Sequence, residues 1–173
     1  MAILTPIVSG LTLFAFCSWA IYLGGLASVQ ENCASATAAS GTDNHGYLSG
    51  ITGFTDVTCY KLFRFYWFVM SIEFVSVVAL AVAIATGNLF KTRLSFLGLF
   101  AINTILYIMT TNSFLTANSL GYYNHGQPKH RMRTTVAGAI MAATFNVLLT
   151  VVLGYEEDAS VPEVQVQKDQ TAV

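Results

Sequence analysis

The chain has 173 residues and a formal net charge of -1; only 10% of its residues are charged, whereas 54% are hydrophobic. A soluble domain carries about 25% charged residues, so this chain has too little charge to solvate a water-facing surface. Three cysteines and eight Lys and Arg residues do not fit a disulfide-rich mini-protein or a basic nucleic-acid binder. The composition therefore predicts an integral membrane protein.

Four apolar windows are long enough to cross a bilayer, which takes about 20 residues of helix. They cover residues 7–29, 64–86, 94–116 and 134–155, and none shows the alternation typical of membrane strands. The first window lacks a basic segment before Pro6 and exceeds the length of a signal-peptide core, so we expect it to be retained. The sequence predicts an all-α membrane protein, a bundle of four transmembrane helices over residues 1–155.

The first connection, residues 30–63, is rich in Ser, Thr, Gly and Ala and is bracketed by Cys33 and Cys59. If this loop faces an oxidising compartment, a Cys33–Cys59 disulfide closes it; the alternative is two free thiols. The second connection, residues 87–93, is short, so we expect its two helices to be antiparallel neighbours. Residues 156–173 start with three acids and have few apolar residues, which predicts a disordered tail.

The distribution of basic residues and the cysteine pair give opposite orientations. Five basic residues lie on the side of the first and third connections and three on the other side, which places both termini outside by the positive-inside rule. An extracellular, disulfide-closed first loop requires the reverse. We expect cytosolic termini. Lys129, Arg131 and Arg133 then form either a basic pore mouth or an ordinary solvated loop.

Glu73 is the acid inside the second window, where a charge costs about 2.5–3.5 kcal/mol on insertion scales. Asn103 and Asn146 lie near the middle of the third and fourth windows, so all three are expected within one helical turn of the bilayer centre. Two interpretations stay open: a protonated carboxyl that joins helices through amides, or a group that lines a permeation path.

Further polar and small residues mark the predicted helix faces. Asn103, Tyr107 and Thr110 share one face of the third helix, and Trp19, near the middle of the first, is a candidate constriction residue. Two stripes of small residues predict close helix crossings or an interface between copies: Ala20, Gly24 and Ser28, and Gly138, Ala142 and Asn146. No metal-ligand spacing, phosphate-binding loop or nucleophile motif occurs, so we expect neither an enzyme nor a cofactor.

The third window ends in NSFLTANS at residues 112–119, and the fourth is entered through RMRTTVAG at residues 131–138. With its four windows and long cysteine-bracketed first loop, the chain resembles the low-CO2-inducible plasma-membrane proteins of green algae. The resemblance implies a homotrimeric plasma-membrane channel for inorganic carbon, chiefly CO2, in a carbon-concentrating mechanism. The wider layout is similar to tetraspan proteins of the MARVEL and claudin kind, which implies a non-transporting organiser or scaffold instead.

The charge pattern ranks the candidate solutes. No Lys or Arg lies within the hydrocarbon-crossing part of any window, and an ionised Glu73 would repel bicarbonate. A neutral gas meets no such barrier. The sequence therefore favours a channel for a small neutral solute, most simply CO2, with a proton or cation path through Glu73 and a tetraspan scaffold as alternatives.

Overall fold

A computed structural model describes residues 4–40, 63–118 and 126–155 of the chain, with side chains at 5–31, 63–116, 126–127 and 129–155. These residues form four helices: α1 (Leu4–Ser40), α2 (Arg64–Ala85), α3 (Leu89–Asn118) and α4 (Gly126–Gly154). Each helix contains a stretch long and apolar enough to cross a membrane. The predicted four-helix class is confirmed, and the chain is a multi-pass membrane protein.

The observed helices are longer than three of the predicted windows. α1 continues to Ser40, where the sequence predicted a loop from residue 30, and α4 begins at Gly126, within the predicted connection 117–133. α3 begins at Leu89, so that Lys91 and Arg93 lie in a helix and not in a loop. Hydropathy marks where a segment leaves the hydrocarbon, whereas helical hydrogen bonding continues into polar sequence beyond it.

The turn between α2 and α3 is set by Gly87, which has a positive φ of 69°. The Gly87 amide donates to the Ile84 carbonyl oxygen at 3.1 Å, and the Asn88 amide donates to that of Ala83 at 3.0 Å. This Schellman arrangement ends α2, and glycine adopts its left-handed conformation without strain. α2 and α3 are consequently antiparallel neighbours.

Each helix packs against the next one along the chain, and α4 closes the ring against α1. The closest approach joins α1 and α4. A Cβ atom at Gly138 would lie 2.6 Å from the Tyr22 backbone nitrogen, and one at Gly25 would lie 2.8 Å from the Thr135 Cα. The stripe with Gly138 and Ala142 therefore lies at a crossing as predicted, whereas Gly25, and not Gly24, provides the contact on α1, because Gly24 faces outward.

The buried core has two apolar parts separated by polar side chains. The loop cluster lies toward the connection after α1 and comprises Tyr22, Leu26, Val29, Phe63, Tyr66, Val69, Met70, Tyr107, Phe114, Met132, Val136, Ala139 and Ala142. The terminal cluster lies toward Leu4 and Gly154 and comprises Val8, Ala15, Val77, Leu80, Ala83, Leu89, Phe96, Phe100, Leu149 and Leu153. Between them lies the polar layer, formed by Glu73, Ser76, Asn103 and Asn146, all buried.

The outside of the bundle is apolar. Many large hydrophobic side chains are exposed on the outside of the bundle, among them Leu94 at 74% and Val75 and Val151 at 64% each. Such a surface is unfavourable in water and favourable against lipid tails. The outward hydroxyls of Ser71 and Thr144 donate to carbonyl oxygens of their own helices, at 2.8 and 2.9 Å. An apolar outer surface with the buried polar groups at mid-depth is the distribution expected of a membrane protein.

Candidate intramembrane polar site

Glu73 is completely buried and accepts hydrogen bonds from two neighbouring helices. Its Oε2 atom accepts from the Asn103 Nδ2 atom at 2.8 Å and from the Asn146 Nδ2 atom at 3.0 Å. The structure thus brings together the three residues that the sequence placed at equal depth. One carboxyl oxygen links α2, α3 and α4 near the middle of the membrane-spanning stretches.

Ser76 is a member of the site that the sequence did not single out. The second N–H of the Asn103 amide donates to the Ser76 Oγ atom at 3.2 Å, and the Ser76 hydroxyl donates to the Ile72 carbonyl oxygen at 2.8 Å. Ser76 follows Glu73 by three positions and so lies on the same helix face. That spacing is the signal that would have found it.

Tyr107 and Thr110 lie on the loop side of the polar layer, both fully buried on the predicted face of α3. The Tyr107 ring packs edge-on against the Tyr22 ring, with 5.3 Å between the ring centroids. Tyr22, on α1, was not singled out from the sequence, because its place in the site depends on its contact with Tyr107 of another helix. The three side chains extend the polar site toward the loop end of the bundle.

Trp19 contributes a bond between α1 and α2. Its indole N–H donates to the Met70 carbonyl oxygen at 3.0 Å, and its ring contacts that of Phe74 with 4.8 Å between centroids. The side chain is partly buried. The indole thus has the partner that its depth requires, one turn from Glu73 on α2. Its role as a constriction stays a prediction.

The basic residues predicted at a pore mouth differ in their surroundings. Arg131 donates to the Ser28 carbonyl oxygen at 3.3 Å and to the Gln127 Oε1 atom at 3.4 Å. Lys129 is partly exposed and Arg133 is exposed. At the same end, the Trp67 indole donates to the Gln30 side-chain oxygen. Arg131 therefore ties α4 to α1, whereas Arg133 remains available at the surface.

The predicted disulfide and tail fall outside the described part of the chain. The Cys33 side chain, Cys59 and residues 156–173 are not among the described residues. Cys17, on α1, is exposed as a free thiol toward the outside of the bundle.

Chemically, the site presents one carboxyl group, two amides and a hydroxyl between two apolar clusters. Among the described buried residues, Glu73 is the one acid, and none is Lys or Arg. Such a set can exchange hydrogen bonds with a small polar molecule, or hold three helices in register.

Comparison with known proteins supports the fold. No protein-family model matches the chain, and no curated protein matches it. A solved structure does: the LCI1 channel of Chlamydomonas reinhardtii superimposes with a TM-score of 0.71 and 15% sequence identity, over 89% of this chain and 97% of that one. At that identity the likeness concerns the fold, and it agrees with the resemblance noted from the sequence. The chain therefore has the four-helix membrane fold of that channel.

Proposed function

We propose that the chain forms a membrane channel for a small neutral solute, with CO2 as the main candidate. The observation that supports it most is the likeness in fold, over nearly the full length of both chains, to a protein described as a channel. The resemblance noted from the sequence adds the solute and the setting: CO2 uptake across the plasma membrane in a carbon-concentrating mechanism.

The charges of the buried residues favour a neutral solute. Among the described residues, Glu73 is completely buried, whereas no Lys or Arg is buried that could attract bicarbonate. An anion passing an ionised carboxylate in a low-dielectric interior would be repelled by several kcal/mol at roughly 4 Å. CO2 carries no charge and meets no such barrier.

The assembly proposed with this function is a homotrimer with both termini in the cytosol, a Cys33–Cys59 disulfide, and Glu73, Asn103 and Asn146 beside the path. Ala20 and Gly24 are small residues on the exposed face of α1, and nothing lies within 4 Å of a Cβ atom placed on Gly24. Small residues on such a face allow close contact between two copies of the chain. Non-reducing mass spectrometry tests the disulfide, and protease access to a tag after Val173 tests the orientation.

The deciding experiment is solute flux in vesicles that contain only this protein. Cholesterol-rich vesicles, whose lipid slows CO2 passage, are loaded with carbonic anhydrase and a pH dye and then mixed with CO2 in a stopped-flow instrument. Faster internal acidification than in protein-free vesicles is expected. Equal rates would contradict the channel and leave a non-transporting scaffold, with the polar layer joining its helices.

A proton path is the second candidate, because hydroxyl groups continue from Glu73 toward the loop end of the bundle through Tyr107 and Tyr22. The same vesicles, without CO2 and under a potassium-diffusion potential, distinguish it. Internal acidification under those conditions would favour proton conduction over passage of a neutral gas.

A further inference from the structure

Seven buried side-chain oxygens of the described residues have no hydrogen-bond partner within the protein. They belong to Tyr22, Tyr107, Thr110, Thr111, Glu73 (Oε1), Asn103 (Oδ1) and Asn146 (Oδ1). Folded proteins pair the great majority of their buried polar atoms, because a dry unpaired group is costly. Seven such atoms in one small bundle indicate a ligand that pairs with them.

These atoms all lie on one side of the bundle core. They belong to the polar layer or to residues on its loop side, and none belongs to the terminal cluster. The hydroxyls of α1 toward the terminal end are paired inside their own helix: Thr12 donates to the Val8 carbonyl oxygen at 2.7 Å, and Ser18 to that of Ala15 at 2.8 Å. The unpaired groups are therefore confined to one region.

The unpaired groups are also contiguous. The Tyr107 ring lies against the Tyr22 ring, with 5.3 Å between the centroids, and Tyr107 follows Asn103 by one helical turn on the same face of α3. The Thr110 hydroxyl lies close to that of Tyr22 without a hydrogen bond of good geometry. The helices α1, α2 and α3 thus bring polar atoms without hydrogen-bond partners together in one part of the core.

We propose that the loop half of the bundle encloses a chamber that binds water, with Glu73 at its inner end and the terminal cluster as its floor. The ligand has to donate to the Glu73, Asn103 and Asn146 oxygens and exchange hydrogen bonds with the hydroxyls of Tyr22, Tyr107 and Thr110. Water is small enough and offers both donors and acceptors. The chamber holds water whether or not the chain conducts a solute, so a negative flux result leaves this inference standing.

Radiolytic hydroxyl-radical labelling of the full chain in lipid vesicles tests the chamber, because radicals formed from bound water oxidise adjacent rings. Tyr107 and Phe100 are a matched pair, both fully buried aromatic residues on α3. After correction for the intrinsic reactivities of the two ring types, we expect Tyr107 to be oxidised several-fold more than Phe100. Equal protection of the two rings would overturn the proposal.

A near-isosteric substitution provides the second measurement. Thr110→Val removes one unpaired hydroxyl, and Thr12→Val removes a buried hydroxyl that is paired within its own helix. If water binds Thr110, the Tm of Thr110→Val falls below that of Thr12→Val and the labelling of Tyr22 decreases. If the chamber is dry, loss of an unpaired polar group raises the Tm to or above that of the control, and the proposal fails.

Discussion

The two halves of the bundle core differ in how they are packed and in how their polar atoms are paired. The terminal cluster is built from aliphatic side chains and two phenylalanines. The loop cluster contains three tyrosines and lies beside hydroxyls without partners. Because lipid tails are as apolar as leucine, a purely apolar interior would suffice to hold a membrane bundle. Unpaired polar groups in the loop half lower the free energy of unfolding relative to apolar side chains. Stability alone therefore does not account for them.

The polar layer separates the two halves of the core. Glu73 lies at the boundary, held by amides of α3 and α4. On the loop side of Glu73 the core contains unpaired polar atoms, whereas on the terminal side the buried hydroxyls of Thr12 and Ser18 are paired within α1. In the proposed channel, the terminal cluster is the barrier and the loop half is the vestibule.

The largest effect is expected from Glu73→Leu, which removes the acceptor shared by two buried amides. Each unpaired amide costs about 1–3 kcal/mol, so the bundle should lose about 2–6 kcal/mol of stability. Glu73→Gln is the matched control, since its side-chain carbonyl still accepts from Asn103 and Asn146. Thermal unfolding in detergent measures both. A Glu73→Leu protein as stable as the parent would mean that the polar layer does not hold α2, α3 and α4 together.

The next effect concerns the close crossing of α1 and α4, on which the position of Tyr22 depends. In Gly138→Ala, the added methyl group meets the Tyr22 backbone, which cannot give way as a side chain can. Overpacking of this kind costs about 1–3 kcal/mol. Gly10→Ala, also on α1 and with nothing within 4 Å, should stabilise α1 by roughly 0.5–1 kcal/mol. Equal Tm values for the two variants would contradict the crossing.

A smaller effect is expected from Trp19→Phe, which keeps an aromatic ring near Phe74 but removes the donor to the Met70 carbonyl oxygen. Hydrogen bonds between membrane helices contribute about 0.6 kcal/mol on average, so the unfolding free energy should fall by roughly that amount.

Trp19→Ala tests the constriction: solute flux should rise if the ring narrows a path and stay unchanged if Trp19 serves only to join α1 to α2.

The smallest change is expected in CO2 flux, because the lipid itself conducts part of the gas. If the terminal cluster is the barrier, Leu80→Ala, which shortens a fully buried side chain there, should increase the protein-dependent flux. Tyr107→Phe, on the vestibule side, should leave it nearly unchanged. Stopped-flow acidification at matched protein density measures both. A larger change in Tyr107→Phe would reverse the assignment of barrier and vestibule.

The hydropathy and depth of residues could be predicted from the sequence because they are local properties. Each apolar window spans the membrane by its own length, and residues at equal distance from the window ends reach equal depth. For that reason Glu73, Asn103 and Asn146 could be grouped before any packing was known, and their amide-to-carboxyl contacts follow at 2.8 and 3.0 Å.

Which face of each helix turns inward depends on tertiary packing and could not be read from the sequence. Gly24 and Gly25 are adjacent in an apolar window, and nothing local distinguishes them; the contact with Thr135 on α4 selects Gly25. Ser76 and Tyr22 belong to the site because of contacts with other helices. Ser76 accepts from Asn103, and Tyr22 packs against Tyr107. Composition and hydropathy determined a four-span bundle with polar groups at its middle. Helix rotation and close packing decided which of those groups meet, and left the unpaired ones in one half of the core.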